Sequence, residues 1–339
     1  MRKRSHNMKT VRTNNPPVTI VVCVYNAVTY LSRALDSLLN QSYDNLSLLI
    51  IDDGSSDGSL HLINEYTKKY PKITSISDGV NLGTAARRQQ GLDAVESELM
   101  SFFDADDIAE KTLIDDQVSK IETDEKCIAV GVYAHYIGAD NDNKFLGTQA
   151  IGVTSKDQFY QRYENNKLIY MTSFTLFKKQ YALSVGGFRQ LGFNEFAPLR
   201  VQDISEDVDL WTRMSDFGKD GYYMITIPVP LVRYRKMGGT LSEKNIFLMS
   251  KKLRWIKDCC QRRRTGNNEL IFSNYLKQLT LVEKIILYFG DYGGFFYKKM
   301  TLLVLDRRFF FALAYGVLAV ILNPLLIYKK AKMFLARFF

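Results

Sequence analysis

Four short apolar runs in the first third of the chain alternate with segments of helical character. The runs cover residues 18–25, 46–51, 73–77 and 99–103. Apolar runs of this length are typical of strands that are buried on both faces of a sheet. Apolar residues at helical spacing between the runs predict crossover helices. The alternation therefore predicts an α/β fold with a doubly wound, mostly parallel sheet. Beyond residue 128 the alternation weakens; further strands are predicted over residues 171–178 and 224–229, with a helix over residues 207–217 between them.

Polar residues follow the end of each of these strands. Tyr25, Asp53, Asn81 and Asp104 lie at or just after the four strand ends in turn. Right-handed crossovers place the carboxyl ends of parallel strands at one edge of the sheet, and open α/β sheets bind ligands at that edge. We therefore expect these side chains to converge on a single cleft.

Three carboxylates follow the fourth strand directly, in the sequence Asp104-Ala105-Asp106-Asp107. Neighbouring carboxylates raise one another's pKa unless a cation shares them, and hard oxygen ligands suit Mg²⁺ or Mn²⁺. A bound cation would attract a phosphate, so the cluster indicates a metal-dependent enzyme that handles a diphosphate. A solvated acidic turn is the alternative interpretation of the cluster taken alone.

Histidine and cysteine usage narrows the chemistry. The chain has three histidines, none beside a Ser or Cys motif, and four cysteines without metal-ligand spacing. This argues against a triad-type hydrolase and a zinc site and leaves acid–base work to carboxylates. The cysteine pattern favours reduced thiols in a cytoplasmic protein.

The positive charge of the chain belongs to its C-terminal third. Residues 241–339 hold 18 Lys and Arg against 6 Asp and Glu, a net charge of +12, whereas residues 1–240 have a net charge of −3. A uniformly basic protein would favour nucleic acid as a partner. A nearly neutral part followed by a basic, aromatic part favours an anionic membrane surface instead, so no nucleic-acid partner is expected.

Residues 309–328 form a run of 20 residues without a charge, flanked on both sides by pairs of basic residues. A run of this length can cross the ~30 Å hydrocarbon core of a bilayer, and aromatic residues at its ends suit interfacial anchors. The basic flanks and the interruption at Asn323-Pro324 favour a re-entrant or interfacial segment. A buried core helix is the third alternative; the prediction is membrane association.

These patterns divide the chain into three parts. Residues 1–16 are predicted to form a disordered basic arm, residues 17–240 the catalytic domain, and residues 241–339 a helical, basic, membrane-associated extension. The oligomeric state is not predicted.

Five motifs between residues 17 and 242 resemble, in order and spacing, those of the inverting family 2 glycosyltransferases with the GT-A nucleotide-sugar-binding fold. The motifs are Val24-Tyr25-Asn26, Asp52-Asp53-Gly54-Ser55-Ser56-Asp57, Asn81-Leu82-Gly83 with Ala86-Arg87, Asp104-Ala105-Asp106-Asp107, and Ser205-Glu206-Asp207. The resemblance implies transfer of a hexosyl or N-acetylhexosaminyl unit from a UDP-sugar to a lipid-linked or surface glycan. It also implies polysaccharide biosynthesis at the cytoplasmic face of a bacterial inner membrane.

The resemblance also implies roles for individual residues at the donor site. Asp53 is expected to bind the uracil ring, because an ionised carboxylate accepts the imide N–H; an Asp that caps the next helix is the alternative. Asp106 is expected to ligate Mn²⁺ or Mg²⁺, which stabilises the UDP leaving group. The remaining nucleotide-sugar contacts are expected from Tyr25 (alternatively a core aromatic), Asn81, Gly83, Arg87 and, on the ribose side, Asp104.

Three further parts of the chain near these motifs also have expected roles. Arg88 stands where the family often has Asn, and we expect it to be solvated at the surface. Asp107 is expected to cap the turn that follows it. A basic segment that resembles the family's segment near the diphosphate contains Arg233, Arg235 and Lys236.

Asp207 matches the catalytic Asp of the family. An inverting transfer needs one base to take the proton of the acceptor hydroxyl, and a helix start holds a carboxylate ready with backbone amides. A plain helix cap is the alternative for Asp207. Glu206 and Trp211 are expected to shape the acceptor site.

Two other classes of function compete with this interpretation. A catalytically inactive nucleotide-sugar-binding subunit of a glycan-assembly complex could share the fold, but it need not keep Asp106 and Asp207. A nucleotidyltransferase would place a Gly-rich phosphate loop after its first strand, where this chain has Tyr25-Asn26-Ala27.

Overall fold

The computed structural model describes residues 15–236, 245–305, 308–324 and 328. Residues 1–14 of the predicted basic arm lie outside this described part. The strands are β1 (Val18–Val24), β2 (Leu46–Asp52), β3 (Ile73–Ser77), β4 (Leu99–Asp104), β5 (Ile108–Ala109), β6 (Cys127–Gly138), β7 (Phe145–Gln149), β8 (Leu176–Lys178) and β9 (Tyr223–Lys236).

Helices cover both faces of the sheet and form the C-terminal region. The first seven are α1 (Val28–Leu39), α2 (Ser59–Lys69), α3 (Thr84–Ala94), α4 (Leu113–Ile121), α5 (Lys156–Glu164), α6 (Lys179–Ser184) and α7 (Glu206–Met214). The C-terminal four are α8 (Ile246–Arg264), α9 (Phe272–Gln278), α10 (Leu281–Leu305) and α11 (Phe309–Leu322). Short 3₁₀ helices cover Asn194–Phe196, Val201–Asp203 and Ser215–Asp220.

The described strands form one mixed sheet in the order β3-β2-β1-β4-β8-β6-β9-β5, with β7 paired to β6. β1, β2, β3 and β4 are mutually parallel, as predicted. Beyond β4 the sheet is mixed: β6 and β9 pair in parallel and run in the direction of β1 to β4, whereas β8 runs antiparallel to β4 and β6, and β5 runs antiparallel to β9. Six of the nine described strands therefore share one direction, in agreement with the expected mostly parallel sheet. There β6 and β7 also form an antiparallel pair, which needs no helical crossover.

The register of the parallel strands brings their carboxyl ends level. Cys23 pairs with Asp104 across β1 and β4, and Val24 pairs with Asp52 across β1 and β2. Asp52 in turn pairs with Ser77 of β3. The polar residues that follow these strands therefore start from one edge, as the strand–helix alternation predicts.

The later elements depart from their predicted bounds. A strand predicted over residues 171–178 is formed only by β8, because the chain turns before it and the Ser173 hydroxyl donates to Asp104 instead. β9 continues to Lys236, beyond the predicted end at residue 229, because it pairs along β6 and β5. The helix predicted over residues 207–217 is α7 followed by a 3₁₀ helix.

A second, smaller core attaches α8 and α9 to the first 240 residues. Trp255 of α8 and Phe272 of α9 are buried with Phe193, Val201 and Val208. The indole N–H of Trp255 donates to the carbonyl of Leu270 at 2.7 Å. The start of α7 therefore rests on the C-terminal region.

α10 and α11 pack against each other and leave much of their apolar surface exposed. Within α11 only Ala312 and Ala319 are buried, whereas the side chains of Phe310 and Leu313 are 82% and 70% exposed. α11 covers 14 residues of the predicted segment 309–328, and residues 325–327 lie outside the described part. No helix in the described ranges has the length and hydropathy needed to cross a membrane.

Candidate functional site

Two neighbouring cavities lie at the carboxyl edge of β1, β2 and β4. Their volumes are about 470 and 440 Å³, and their walls share Tyr25 and Thr84. Of the predicted site residues, the first cavity is lined by Tyr25, Asp104 and Asp106, and the second by Tyr25, Asp53, Asn81 and Gly83. Tyr25 is 54% exposed, so it is not the core aromatic of the alternative interpretation.

The acidic turn after β4 holds its first two carboxylates differently. Asp104 is fully engaged: Oδ1 accepts from Arg88 Nη2 at 3.0 Å, and Oδ2 accepts from Ser173 Oγ at 2.8 Å. Asp106 has no ion pair within the described residues, and burial together with the charge of Asp104 raises the pKa of its carboxyl to about 6. Of these two carboxylates, Asp106 is therefore the one that gains more from an added cation.

The third carboxylate of the turn serves the fold. Asp107 is buried, and its Oδ1 accepts from the backbone N–H of Arg235 at 2.9 Å. Burial and the charges of Asp104 and Asp106 raise the pKa of the Asp107 carboxyl well above its usual range. Asp107 thus fastens β9 to the acidic turn, whereas it was expected to cap the next turn.

Arg235 also serves the acidic turn and does not face a diphosphate. Its Nε donates to the carbonyl of Asp106 at 2.9 Å, and its Nη1 donates to the carbonyls of Gly138 and Ala139. The side chain is fully buried, with its guanidinium 4.7 Å from the ring centre of Tyr30. The expected diphosphate contact is therefore wrong for this residue.

Asp53 is held by the loop that leads into α3. Its carboxylate accepts from the backbone N–H groups of Leu82 at 2.6 Å and Gly83 at 3.0 Å, and from Arg87 Nε at 2.9 Å. Arg87 is fully buried and also pairs with Asp78. Arg87 therefore holds the Asp53 carboxylate in place. Because its own guanidinium is buried, Arg87 does not make the expected direct contact with the nucleotide in this arrangement.

The second cavity is bounded by a tight contact between two loops. Gly83, the N-cap of α3, has φ +94° and ψ +164°, a conformation essentially restricted to glycine. The Asp203 carboxylate accepts from the N–H of Ala85 at 2.8 Å and occupies the space that a Cβ on Gly83 would need. On the other side, Arg200 donates to the backbone carbonyl of Asn81 at 2.7 Å. No sequence motif marks Arg200 or Asp203 as a site residue.

Asp207 lies in the first turn of α7, two residues after a position with an unusual backbone conformation. The preceding N-cap, Ser205, has φ +53°, which is unusual for a residue other than glycine. Asp207 Oδ1 accepts from the N–H of Val208 at 2.7 Å. Burial raises the pKa of the Asp207 carboxyl and Asp104 adds to the rise, while the charge of Arg88 opposes it. A carboxylate with a raised pKa is a stronger proton acceptor than one in water.

Arg88 is buried, and the expectation that it is solvated is wrong. Its Nη1 donates to Glu206 Oε1 at 2.7 Å, and its Nη2 donates to Asp104 Oδ1 at 3.0 Å. The sequence contained a signal for this, because Ala85, Arg88 and Leu92 follow helical spacing on the buried face of α3. A charged residue on an apolar face should have been assigned a partner.

Glu206 and Trp211 do not lie on an open acceptor surface. Glu206 is 8% exposed, and burial together with Asp207 raises the pKa of its carboxyl to about 7 against the opposing charge of Arg88. Trp211 is 1% exposed and packs edge-on against Phe177, with ring centres 5.3 Å apart. The expectation that Trp211 shapes the acceptor site is therefore wrong; its indole belongs to the core.

The acidic turn suits a cation whose remaining ligands come from a bound phosphate. No group of three or more His, Cys, Asp or Glu side chains forms a metal cage in the residues that the structure describes. Mg²⁺ is commonly bound by one or two carboxylates together with substrate phosphates rather than by such a cage. The desolvated Asp106 carboxylate beside Asp104 matches that donor set.

Comparison with known families and proteins identifies relatives of the chain. The profile of glycosyl transferase family 2 matches residues 19–185. An uncharacterized glycosyltransferase of Haemophilus influenzae is 30% identical over 241 residues, which cover 68% of each chain. Glycosyltransferase GlyA of Streptococcus pneumoniae is 28% identical over 236 residues, which cover 66% of this chain and 31% of GlyA.

Solved structures share the fold at low sequence identity. S. aureus TarS 1–349 in complex with UDP-GlcNAc aligns with a TM-score of 0.53 at 14% identity and covers 83% of this chain and 80% of TarS 1–349. The mannosyltransferase PcManGT of Pyrobaculum calidifontis, in complex with GDP-Man and Mn²⁺, aligns with a TM-score of 0.52 at 15% identity and covers 92% and 88%. Both are GT-A-like structures, so the predicted α/β fold of the GT-A type is confirmed for this chain.

The contact between Gly83 and Asp203 predicts a large effect of a single methyl group. We expect Gly83→Ala to lower the free energy of unfolding by about 3 kcal/mol, because a clash with Asp203 adds to the backbone strain. Gly79→Ala is the matched control: its φ is +73°, and nothing lies within 4 Å of the added Cβ. It should cost only about 1 kcal/mol. Equal shifts of the two variants in urea unfolding would contradict the described loop contact.

Proposed function

Because the chain belongs to glycosyltransferase family 2, we propose that it transfers a hexosyl or N-acetylhexosaminyl unit from a UDP-sugar to a hydroxyl of a lipid-linked or surface glycan, with inversion at the anomeric carbon. The observation that carries this proposal is the link between the acidic turn and the start of α7. A single guanidinium, that of Arg88, bridges Asp104 and Glu206 beside Asp106 and Asp207.

The donor is proposed to lie across the two cavities. Asp53, Asn81 and Gly83 would contact the nucleotide in one cavity, with Tyr25 at the shared wall. The diphosphate would then reach the acidic turn in the other cavity. The UDP-GlcNAc and GDP-Man of the solved neighbours support a nucleoside-diphosphate sugar; the choice of UDP rests on the predicted contact between Asp53 and uracil.

A divalent cation, Mn²⁺ or Mg²⁺, is proposed to bind at Asp106. When bound, such a cation stabilises the negative charge that builds up on the leaving diphosphate. Asp104, already engaged by Arg88 and Ser173, would serve the ribose side. This division of labour agrees with the different hydrogen bonding of the two carboxylates.

Asp207 is proposed as the general base of a single displacement. Its free carboxylate oxygen takes the proton of the acceptor hydroxyl while the acceptor oxygen bonds to the anomeric carbon. The bond between that carbon and the diphosphate oxygen breaks in the same step, and its electron pair leaves with UDP. One base suffices, because no covalent sugar–enzyme bond is formed.

Metal-dependent binding is tested at Asp106. Asp106→Asn should weaken the binding of UDP in the presence of Mn²⁺ at least tenfold, because a neutral amide is a poor ligand for a hard cation. Isothermal titration with and without Mn²⁺ measures the effect. Asp93→Asn, an exposed carboxylate at the end of α3, is the control. Undiminished UDP binding and turnover in excess chelator would refute the metal proposal.

The base is tested by separating binding from turnover. Asp207→Asn keeps the shape of the side chain but removes its basicity, so transfer should fall by roughly 10²–10⁴ while UDP binding changes less than threefold. Asp157 also lies in the first turn of a helix, α5, so Asp157→Asn controls for the loss of a helix-capping charge. If Asp207→Asn turned over as fast as the unchanged enzyme, Asp207 would be a cap, and an inactive binding subunit would become the better interpretation.

The C-terminal helices are proposed to attach the enzyme to the cytoplasmic face of a bacterial inner membrane. The exposed apolar side chains of α10 and α11 accompany Lys299 and Arg308, at the end of the chain that carries the +12 charge. Apolar insertion and attraction to anionic lipid together give stable interfacial binding. Interfacial attachment is therefore favoured over a membrane span, and it would place the active site near a lipid-linked acceptor.

Vesicle binding tests the membrane attachment. The double variant Phe310→Glu/Leu313→Glu should reduce binding to phosphatidylglycerol-containing vesicles at least 100-fold, because burying each side chain contributes about 1.5–3 kcal/mol. Leu191→Glu is the matched control, since Leu191 is 83% exposed but lies outside the C-terminal helices. Vesicle flotation measures binding, and UDP titration checks the fold. Failure of the full-length protein to bind anionic vesicles would refute the proposed attachment.

A further inference from the structure

Arg88 connects two parts of the site that are far apart in sequence. It lies on α3, 16 residues before Asp104 and 118 residues before Glu206. The guanidinium is 6% exposed and lies 5.6 Å from the ring centre of Phe102. Its two terminal nitrogens each hold one carboxylate, so the side chain acts as a bridge between the end of β4 and the start of α7.

The bridge is better explained by geometry than by stability. Burying an arginine with two carboxylates costs desolvation free energy that their attraction only partly returns, and apolar residues of similar volume often stabilise a core as well. What an apolar residue cannot do is fix the distance between two carboxylates. Arginine does so because its planar fork presents donors at fixed angles.

The two anchored carboxylates adjoin the two groups proposed for the chemistry. Glu206 immediately precedes Asp207 at the start of α7, and Asp104 lies two residues before Asp106. Moving Glu206 away from Arg88 would turn the first residues of α7, where Ser205 already has an unusual backbone conformation. The bridge therefore sets the position of the proposed base relative to the acidic turn.

We infer that Arg88 is a positioning residue, which holds the base-bearing start of α7 against the acidic turn through Glu206 and Asp104. The inference rests on the proposed function, because a positioning role for Arg88 requires that Asp207 is the base. The competing role is direct binding of the donor diphosphate, since Arg88 also lines the first cavity. The two roles predict different effects on UDP binding and on turnover.

Substitution of Arg88 separates these roles. Arg88→Gln should lower kcat for UDP-sugar turnover at least 30-fold, while the Kd for UDP with Mn²⁺ changes less than threefold. Arg88→Lys keeps the charge but has a single terminal nitrogen, so it should restore kcat only in part. Arg263→Gln is the control: Arg263 bridges Asp216 and Glu269, away from both cavities, and kcat should remain within twofold.

A double variant tests whether Arg88 acts through Glu206. If it does, Glu206→Gln should lower kcat by itself, and Arg88→Gln/Glu206→Gln should be no more than threefold slower than Arg88→Gln, because linked effects are not additive. Multiplying effects would overturn the inference. A tenfold loss of UDP binding in Arg88→Gln would assign the residue to the diphosphate, and an unchanged kcat would also overturn the positioning role.

The same assays distinguish failure of this inference from failure of the proposed function. If Asp207→Asn is active and Arg88→Gln is impaired, the assignment of the base is overturned, while Arg88 still contributes to turnover. An inactive Asp207→Asn beside a fully active Arg88→Gln would overturn the role of Arg88 alone. Thermal unfolding of each variant shows whether a lost activity reflects a lost fold.

Discussion

The arrangement of the site depends on how the fold neutralises the carboxylates that it buries. A carboxylate removed from water costs several kcal/mol unless a charge or hydrogen-bond donors replace its hydration. Here arginines supply much of that replacement: Arg87 meets Asp53, and Arg88 meets Asp104 and Glu206. The pairs Arg87–Asp53 and Arg88–Glu206 join elements that are not consecutive in the chain. The positions of the loops around the two cavities follow from this pairing of charges.

The two carboxylates proposed for the chemistry have no such arginine partner among the described residues. Asp106 and Asp207 form no ion pair among the residues described, although both have a raised pKa that burial helps to cause. Arg235 approaches Asp106 but contacts only its carbonyl oxygen. Asp107 also forms no ion pair among the described residues, but its Oδ1 accepts from the backbone N–H of Arg235. The groups proposed for metal binding and proton transfer thus lack an arginine partner, whereas the nearby Asp104 and Glu206 are both held by Arg88.

The sequence predicts the parallel strands β1 to β4 but does not predict which side chains pair with one another at the site. β1 to β4 could be predicted within a residue or two because continuous burial leaves a continuous apolar run. β8 and the far end of β9 could not, because their extent depends on strands elsewhere in the chain: β8 pairs with β4 and β6, and the end of β9 pairs with β6. Arg88 shows the same limit at the site: its position on a buried face could be read, but Glu206, 118 residues away, could not be foreseen as its partner.

The second core carries a consequence for where the chain can be divided. Lys252 of α8 is buried and donates to the carbonyls of Val201 and Gln202, next to the loop that holds Asp203 against α3. Trp255 and Phe272 complete that packing. A chain cut at residue 240 would expose this apolar surface beside the start of α7. The smallest autonomous folding unit would therefore extend at least through α9.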